Sequence, residues 1–240
     1  MNIVISQSML FPWVGLLEQV RLADVFVHYD DVQFSKGSFV NRVQVKTPQG
    51  MRWMAVPLLD LHLGQKINEV QVPPSKEWRD AHLALLESSL ANAPFRRDAL
   101  GLAEGVYAAD YANIGALARA SLMALVEDFG LDAHCRFIDV ESLDIPGSSS
   151  DRVLSVVKCL EGDKYITGHG ARRYLDHELF ERSGVAVEYM TYNCTPYPQG
   201  HGDFTPYVSA LDLVANCGKL GLESINSGTT DWRSFKNEPA

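Results

Sequence analysis

Residues 2–34 read NIVISQSMLFPWVGLLEQVRLADVFVHYDDVQF, and this stretch decides the fold. The apolar run at 3–5 is typical of a buried strand, apolar residues recur at helical spacing over 16–22, and a second apolar run follows at 25–29. Because the gaps between them are short, the pattern predicts a strand, a helix and a second strand in one βαβ unit. Such a unit implies parallel pairing of the two strands and a right-handed crossover.

Polar residues follow both of these strands. In an open parallel sheet, ligands bind beyond the carboxyl ends of the strands, so Gln7 and residues 30–33 are expected to face one site. Taken singly, each residue also fits a structural role, such as a packed loop, a solvated turn or an exposed strand start. Taken together, they favour a functional site. The cluster comprises Gln7, Trp13, Asp30, Asp31, Gln33, Asn41, Arg42 and Lys46.

The overall composition limits the classes to which the chain can belong. Its 240 residues are 46% hydrophobic, which is enough to bury the core of one large α/β domain or of a domain with a helical insert. The 21 Lys and Arg against 30 Asp and Glu give a net charge of −9, which argues against a general nucleic-acid-binding protein, because phosphate contacts require a basic surface. The sequence has no apolar run long enough to span a membrane and no signal-peptide features, so a cytoplasmic protein is expected.

The cysteines do not indicate a metal site or a disulfide framework. Cys135, Cys159, Cys194 and Cys217 are widely spaced, without a C-x-x-C pair or paired histidines at zinc-ligand intervals. Cys194 and His201 share a loop rich in proline and glycine, where a thiol and an imidazole could act as nucleophile and base. The alternative is an inert cysteine, because nothing nearby supplies a third, orienting residue.

The remaining segments complete an α/β pattern. They predict a hairpin over 42–58, a strand over 66–72, helices over 78–90, 95–107 and 114–129 with Asn113 as an N-cap, a strand over 135–140, a helix over 153–160 capped by Ser150, and strands over 164–167 and 185–190 separated by a helix. The last strand, helix and strand form a second βαβ unit. The sequence therefore predicts a single α/β domain over residues 1–240. Its mainly parallel sheet comes from two βαβ halves, with a β-hairpin and a helical insert near 75–129.

A glycine-bracketed turn, Gly168-His169-Gly170, follows the predicted strand at 164–167. Glycines there let the backbone approach a ligand, and free amides at the following helix start favour an anionic group. G-x-G alone is a weak sign of dinucleotide binding, since the full fingerprint needs a third glycine where this chain has Arg173. A tight turn with surface arginines is the alternative.

The two halves are expected to form one pocket, because each polar cluster lies at a strand end or in the loop after it. Asp30, Asp31 and Lys46 are the candidate catalytic residues, with Asp30 or Asp31 as a base for an ammonium group. Asp31→Asn should then remove activity and leave thermal stability nearly unchanged. The candidate substrate-binding residues are Gln7, Trp13, Gln33, Asn41, Arg42, Gly168, His169, Tyr174, Tyr197 and Gln199.

Several of these residues also carry a resemblance to a known family. The motifs ISQ at 5–7, FPWVG at 11–15, DDVQF at 30–34, KTP at 46–48, YITG at 165–168 and YPQ at 197–199 resemble the WbqC-like family of bacterial proteins. The similarity spans almost the whole chain. The family commonly has His-Gln-Pro near its start, where this chain has Ser6-Gln7-Ser8, so any role of that histidine is absent here.

The resemblance implies a function. Members of the family occur among genes for O-antigen and related surface glycans and in natural-product clusters, and they are linked to the attachment of amino-acid or acyl groups to amino sugars. This implies an amide-forming acyl or aminoacyl transferase that acts on an amine acceptor such as a nucleotide-linked amino sugar. No cofactor would be required. The acyl donor would be activated, as a thioester or through ATP, and could be held on a carrier protein.

A more distant similarity gives a second possibility. The strand, aromatic-proline-glycine loop and helix at the start of the chain resemble the nucleotidylyltransferase superfamily, which includes ATP-dependent adenylate-forming amide ligases. Those enzymes use a His-x-Gly-His turn to stabilise a phosphoryl transition state. The segment Pro12-Trp13-Val14-Gly15 has neither histidine, so Lys46, Arg42 or Arg172 would have to supply the positive charge. In a third possibility, a non-catalytic carrier or partner-binding protein, the same residues would form a recognition surface.

Overall fold

The computed structural model of the protein describes residues 1–193 and 195–237. Its strands are β1 (Asn2–Ser6), β2 (Val25–His28), β3 (Arg42–Thr47), β4 (Gly50–Ala55), β5 (Arg136–Asp139), β6 (Lys164–Thr167), β7 (Ala186–Thr191) and β8 (Gly228–Asp231). Its α-helices are α1 (Val14–Leu22), α2 (Lys76–Ser89), α3 (Arg96–Tyr107), α4 (Ile114–Asp128), α5 (Ser149–Cys159), α6 (His177–Arg182), α7 (Leu211–Cys217) and α8 (Trp232–Asn237).

The central sheet has the strand order β5-β2-β1-β6-β7-β8. Its first five strands in this order are parallel, and β8 pairs antiparallel with β7 at the edge. The chain moves outward from β1 through β2 to β5 on one side and from β6 to β7 on the other, so the strand order reverses between β1 and β6. A crevice forms beyond the strand ends at such a reversal. The predicted α/β fold, with its mainly parallel sheet and separate β3–β4 hairpin, is confirmed.

Helices cover both faces of the sheet because side chains along each strand alternate between two apolar cores. Val4 and Phe26 belong to the core that includes α1 and α4, whereas Ile3, Val25 and Val187 belong to the core that includes α5 and α6. All five side chains are almost completely buried. The two βαβ units therefore build one doubly covered sheet rather than two separate bodies.

The hairpin β3–β4 is held beside the carboxyl ends of the main strands. The backbone N–H of Leu10, in the loop after β1, donates to the carbonyl of Phe39 at 3.0 Å, and that of Ser209 donates to the carbonyl of Gln44 at 3.0 Å. The predicted helical insert follows as α2, α3 and α4. Asn113 caps α4 as predicted, because its side chain accepts a hydrogen bond from the backbone N–H of Ala116 at 2.9 Å.

Two local predictions are wrong. The strand expected over 66–72 is replaced by a 3-10 helix at Ile67–Glu69, since the Glu69 carboxylate accepts from the backbone N–H of Lys66 at 3.0 Å and closes a capped turn. Ser150 does not cap α5 but lies within it, where its hydroxyl accepts from the backbone N–H of Asp176 at 3.0 Å.

The C-terminal edge was not predicted. Strand β8 reads GTTD and has no apolar run, because an edge strand needs to bury little of its surface. Within residues 1–193 and 195–237, every helix is too short or too polar to cross a lipid bilayer.

Candidate functional site

A pocket of about 1180 Å³ opens at the carboxyl ends of β1, β2, β6 and β7, where the strand order reverses. Its polar and aromatic lining comprises Ser6, Gln7, Trp13, Gln19, Tyr29, Asp31, Gln33, Phe39, Ser148, Ser149, Arg152, Thr167, Gly168, His169, Tyr174, Tyr192 and Tyr207. Residues from both halves of the chain therefore meet in one cavity. Its position is the one that parallel-sheet topology favours for ligands.

An ion pair between Asp31 and Arg152 lies in the wall of this pocket. The Arg152 guanidinium donates from Nη1 to Oδ1 of Asp31 at 2.8 Å and from Nη2 to Oδ2 at 2.5 Å. Its Nε donates to the carbonyl of Ile145 at 2.9 Å, and its Cζ lies 5.0 Å from the centroid of the Tyr29 ring. The hydrogen bonds with Asp31 raise the pKa of Arg152. Each guanidinium nitrogen thus has a partner, and the pair is nearly neutral overall.

Trp13 forms an aromatic wall at the start of α1. Its indole folds back over Gly15, where a Cβ atom would collide with several ring carbons. The absence of a side chain at this position is therefore what allows the indole to lie there. Tyr192 meets the Trp13 ring edge-on at 4.7 Å, and Tyr207 lies 6.2 Å from it.

His169 follows β6 and is anchored to β7. Its Nε2 lies 2.9 Å from the carbonyl of Met190. Since a carbonyl can only accept, Nε2 carries the proton, and Nδ1 of the neutral ring is left with its lone pair. The neighbouring Gly168 is close to Gln19, whose amide nitrogen would be 3.0 Å from a Cβ at that position. The glycine turn thus brings a fixed imidazole and a side-chain amide to the same side of the pocket.

The loop before α5 completes the opposite wall. Gly147 has a φ of +107° and Ser149 a φ of +55°, a left-handed conformation that costs a residue with a side chain about 1 kcal/mol or more. Non-glycine residues in this conformation are uncommon and often occur at functional sites. Here the strained turn places two serines and the start of α5 against the cavity.

Seven of the residues proposed from the sequence line the pocket: Gln7, Trp13, Asp31, Gln33, Gly168, His169 and Tyr174. Asp30 does not, although it is adjacent to Asp31. Its carboxylate is 1% exposed and accepts hydrogen bonds from the backbone N–H and hydroxyl of Ser8 at 2.8 and 2.7 Å and from Arg119 at 3.1 Å. Burial raises the pKa of Asp30. Asp30 therefore holds the loop after β1 in place and cannot reach a ligand in the pocket.

Lys46, Tyr197 and Gln199 form a second buried network outside the pocket. The Lys46 ammonium donates to Oε1 of Gln199 and to the carbonyl of Gly202, both at 3.1 Å, and to the carbonyl of Asp203 at 2.5 Å. The Gln199 amide donates to the Tyr197 hydroxyl at 3.0 Å. These bonds tie the loop before Tyr207 to β3, so their effect on the pocket is indirect.

Asn41 and Arg42 also lie outside the pocket lining. The Asn41 amide donates to the carbonyl of Val56 at 3.0 Å. Arg42 donates from Nε and Nη2 to the carbonyl of Gly37 and stacks on the Trp53 ring, with its Cζ 4.2 Å from the centroid. The position of Cys194 falls outside the described residues. His201 lies 2.8 Å from the carbonyl of Ser89, at the end of α2.

Sequence reasoning missed several lining residues, above all Arg152, Tyr29, Gln19, Ser148, Ser149, Tyr192 and Tyr207. A signal for two of them was present. The segment PGSSS at 146–150 lies between a predicted strand and a predicted helix, as the Gly168 turn does. The rule that places ligands beyond strand ends applies to both loops. Arg152 could not be found in this way, because its partner Asp31 is remote in sequence.

Comparisons with known proteins agree with the resemblance seen in the motifs. The model of the WbqC-like protein family matches residues 7–223 of this chain. The chain is 30% identical over 220 residues to Rv1507c of Mycobacterium tuberculosis, a protein whose name describes it as uncharacterized, and the alignment covers 90% of this chain and 94% of that protein. No solved structure matches the chain.

Proposed function

We propose that this chain, which belongs to the WbqC-like protein family, is an amide-forming acyl or aminoacyl transferase. Its acceptor would be an amine on a sugar, such as a nucleotide-linked amino sugar, and its donor an activated acyl group. The observation that supports this function best is the pocket at the strand reversal, whose aromatic lining also contains an anchored imidazole and a buried ion pair.

The size and lining of the pocket suit two reactants of this kind. A volume of about 1180 Å³ exceeds the roughly 300–1,000 Å³ of common ligand pockets, so a donor and an acceptor can be accommodated together. Aromatic faces such as those of Trp13 and Tyr207 pack against the C–H faces of a sugar ring. The side-chain amides of Gln7, Gln19 and Gln33 can both donate to and accept from sugar hydroxyls.

Amide formation needs a base, and His169 is the best-placed group for that role. The acceptor ammonium must lose a proton before its nitrogen can attack the acyl carbonyl carbon. The C–N bond then forms and the C–S bond of a thioester donor breaks. The nitrogen loses two protons in becoming an amide: one is held on Nδ1 of His169 and passes to the leaving thiolate, and the other is released to solvent. The hydrogen bond from Nε2 to the carbonyl of Met190 selects the tautomer of the neutral ring in which Nδ1 has the lone pair.

In this proposal Asp31 binds the acceptor, whereas the sequence pattern indicated a candidate catalytic base. Both of its oxygens already accept hydrogen bonds from Arg152, and their remaining lone pairs suit an ammonium or hydroxyl donor. Asp31 would therefore bind and orient the acceptor. The remaining N–H groups of Arg152 would bind an oxygen of the same ligand.

The ATP-dependent ligase is supported less well. Among the described residues that line the pocket, Arg152 is the only Lys or Arg, and its charge is balanced by Asp31. Lys46, Arg42 and Arg172, which were candidates for stabilising a phosphoryl group, lie outside the lining. A nucleoside triphosphate would meet little net positive charge here, whereas a thioester donor requires none.

The proposal is tested by incubating the protein with nucleotide-linked amino sugars and acyl or aminoacyl thioesters. Mass spectrometry should detect an N-acylated sugar, and a thiol reagent should detect an equal amount of released thiol. His169→Asn should lower turnover by roughly a hundredfold or more, whereas His134→Asn, which changes an exposed histidine outside the pocket lining, should leave it unchanged.

Two results would contradict the proposal. Release of AMP from ATP together with the amide would assign the ligase instead. The absence of any N-acylated product across the panel, with a folded protein, would leave a binding function in place of a catalytic one.

A further inference from the structure

Three side chains form a cluster at the surface beside the pocket, which we call the aromatic–arginine patch: the exposed Phe39 and Trp53 and the half-buried Arg42. The rings of Phe39 and Trp53 lie 5.9 Å apart and are 43% and 44% exposed. The guanidinium of Arg42 covers the Trp53 ring at 4.2 Å. Isolated exposed apolar side chains are common, but contacting aromatic rings with an arginine are the groups enriched at protein interfaces.

The patch is already ordered. Arg42 donates from both Nε and Nη2 to the carbonyl of Gly37, and the Trp53 ring packs against a face of its guanidinium. Trp53 itself is carried by β4, which pairs with β3 along its whole length. The side chains of the patch would therefore lose little conformational entropy when a partner binds.

The charge around the patch is opposite to that of the rest of the protein. Between residues 32 and 69 the chain has five basic residues, Lys36, Arg42, Lys46, Arg52 and Lys66, against two acidic ones, Asp60 and Glu69. Lys46 is buried, but Lys36, Arg52 and Lys66 are exposed. Lys36 precedes Gly37, whose carbonyl binds Arg42, and Arg52 precedes Trp53, so the patch lies in a positively charged segment of a chain with a net charge of −9. A surface of this kind attracts an acidic partner and repels the same positive segment of a second copy of this chain.

The patch is continuous with the pocket through one residue. Phe39 lines the cavity and contacts Trp53 on the outside. A partner bound to the patch would therefore sit beside the pocket whose lining includes His169, and a flexible arm of the partner could enter that pocket.

We propose that the aromatic–arginine patch docks a small acidic carrier protein that presents the acyl donor as a thioester on a flexible arm. This inference rests on the proposed transferase function and names the form in which the donor arrives. The acceptor nitrogen attacks the thioester carbon, the C–N bond forms, the C–S bond breaks, and the thiol remains on the carrier arm after taking the proton from His169.

The test compares one acyl group in two forms: attached to an acidic acyl carrier protein, and as the free pantetheine thioester. Trp53→Ala and Arg42→Glu should raise KM for the carrier-bound donor about tenfold or more, as loss of an interface anchor does, and should leave turnover of the free thioester unchanged. The KM for the carrier should rise with salt in the original protein and less so in Arg42→Glu. Arg136→Glu, at the opposite end of the sheet, is the matched charge-reversal control.

Other results separate this inference from the function on which it rests. Saturable carrier binding that is lost in Trp53→Ala, without turnover of either donor, would leave the docking surface standing and overturn the transferase. Equal effects of Trp53→Ala on both donors would show that the patch acts through the pocket. Failure of the acylated carrier to bind would refute the docking surface. If anionic phospholipid vesicles bound instead, and Trp53→Ala abolished that binding, the patch would be assigned to a membrane surface.

Discussion

Asp31→Asn should lower the stability of the protein as well as its activity. The Asp31 side chain is 15% exposed and that of Arg152 9%, so the substitution leaves a largely buried guanidinium without its counter-charge. Removal of one partner from a buried ion pair costs about 3–5 kcal/mol, and the lower end applies here because the pair borders a cavity. A loss of about 3 kcal/mol in a chain of this length lowers Tm by roughly 6–12 °C. The structure thus replaces the simpler expectation that only activity would be lost.

Denaturant unfolding followed by circular dichroism measures this loss, with thermal unfolding as a second readout. The control is the double variant Asp31→Asn with Arg152→Met, which removes both charges and should recover much of the lost stability. Stability of Asp31→Asn within about 1 kcal/mol of the original would refute the reasoning, because it would mean that solvent in the pocket screens the pair as at a surface. Additive losses in the double variant would show that the two groups are not coupled.

The other predictions concern positions where the structure assigns a physical role. Gly15→Ala should displace the Trp13 indole and weaken acceptor binding about tenfold. Titration calorimetry would detect this change. An unchanged affinity would mean that the indole does not contact the acceptor. Burial lowers the pKa of His28 and of His82 from 6.5 to about 4. Between these pH values the unfolded chain therefore binds protons that the folded chain does not. The free energy of unfolding present above pH 6.5 should fall by at most about 3 kcal/mol per histidine as the pH drops to 4. His82→Gln should accordingly flatten the dependence of unfolding free energy on pH in that window, and an unaltered slope would contradict the assignment. Lys46→Met should lower the free energy of unfolding by about 2–3 kcal/mol and expose the loop after residue 199 to proteolysis, because three oxygens lose their hydrogen-bond donor. Lost turnover with unchanged stability would instead support a catalytic role for this lysine.

The sequence was sufficient for the parts of the fold that are governed by local pattern. The apolar runs of β1, β2 and β6 and the helical spacing between them are visible because strands buried on both faces have few polar residues. Asn113 could be recognised as a cap from its position alone. The strand-end rule then placed Gln7, Asp31 and the Gly168 turn in one pocket without any information about distance.

The candidate residues that the structure places outside the pocket lining were chosen for one shared physical reason. Polar residues that follow a strand can serve a ligand or can satisfy buried groups of the protein itself, and their chemistry is the same in both cases. Lys46 illustrates this, since its ammonium has a full set of partners in the carbonyls and amide of the loop after residue 199. Residue type and spacing cannot distinguish these two uses. Only the arrangement of the partner loop in space decides between them.

Asp30 and Asp31 show how the two uses cooperate. Successive side chains after β2 point in different directions, so one carboxylate is buried against Ser8 and Arg119 while its neighbour lines the cavity with Arg152. Asp30 thereby fixes the loop after β1, and Asp31 fixes the start of α5. These hydrogen bonds connect the loop after β1, the loop after β2 and the start of α5 before any ligand arrives, so a ligand loses little free energy in ordering them. A polar residue that does not contact the substrate can thus still determine how well a neighbouring residue binds the substrate.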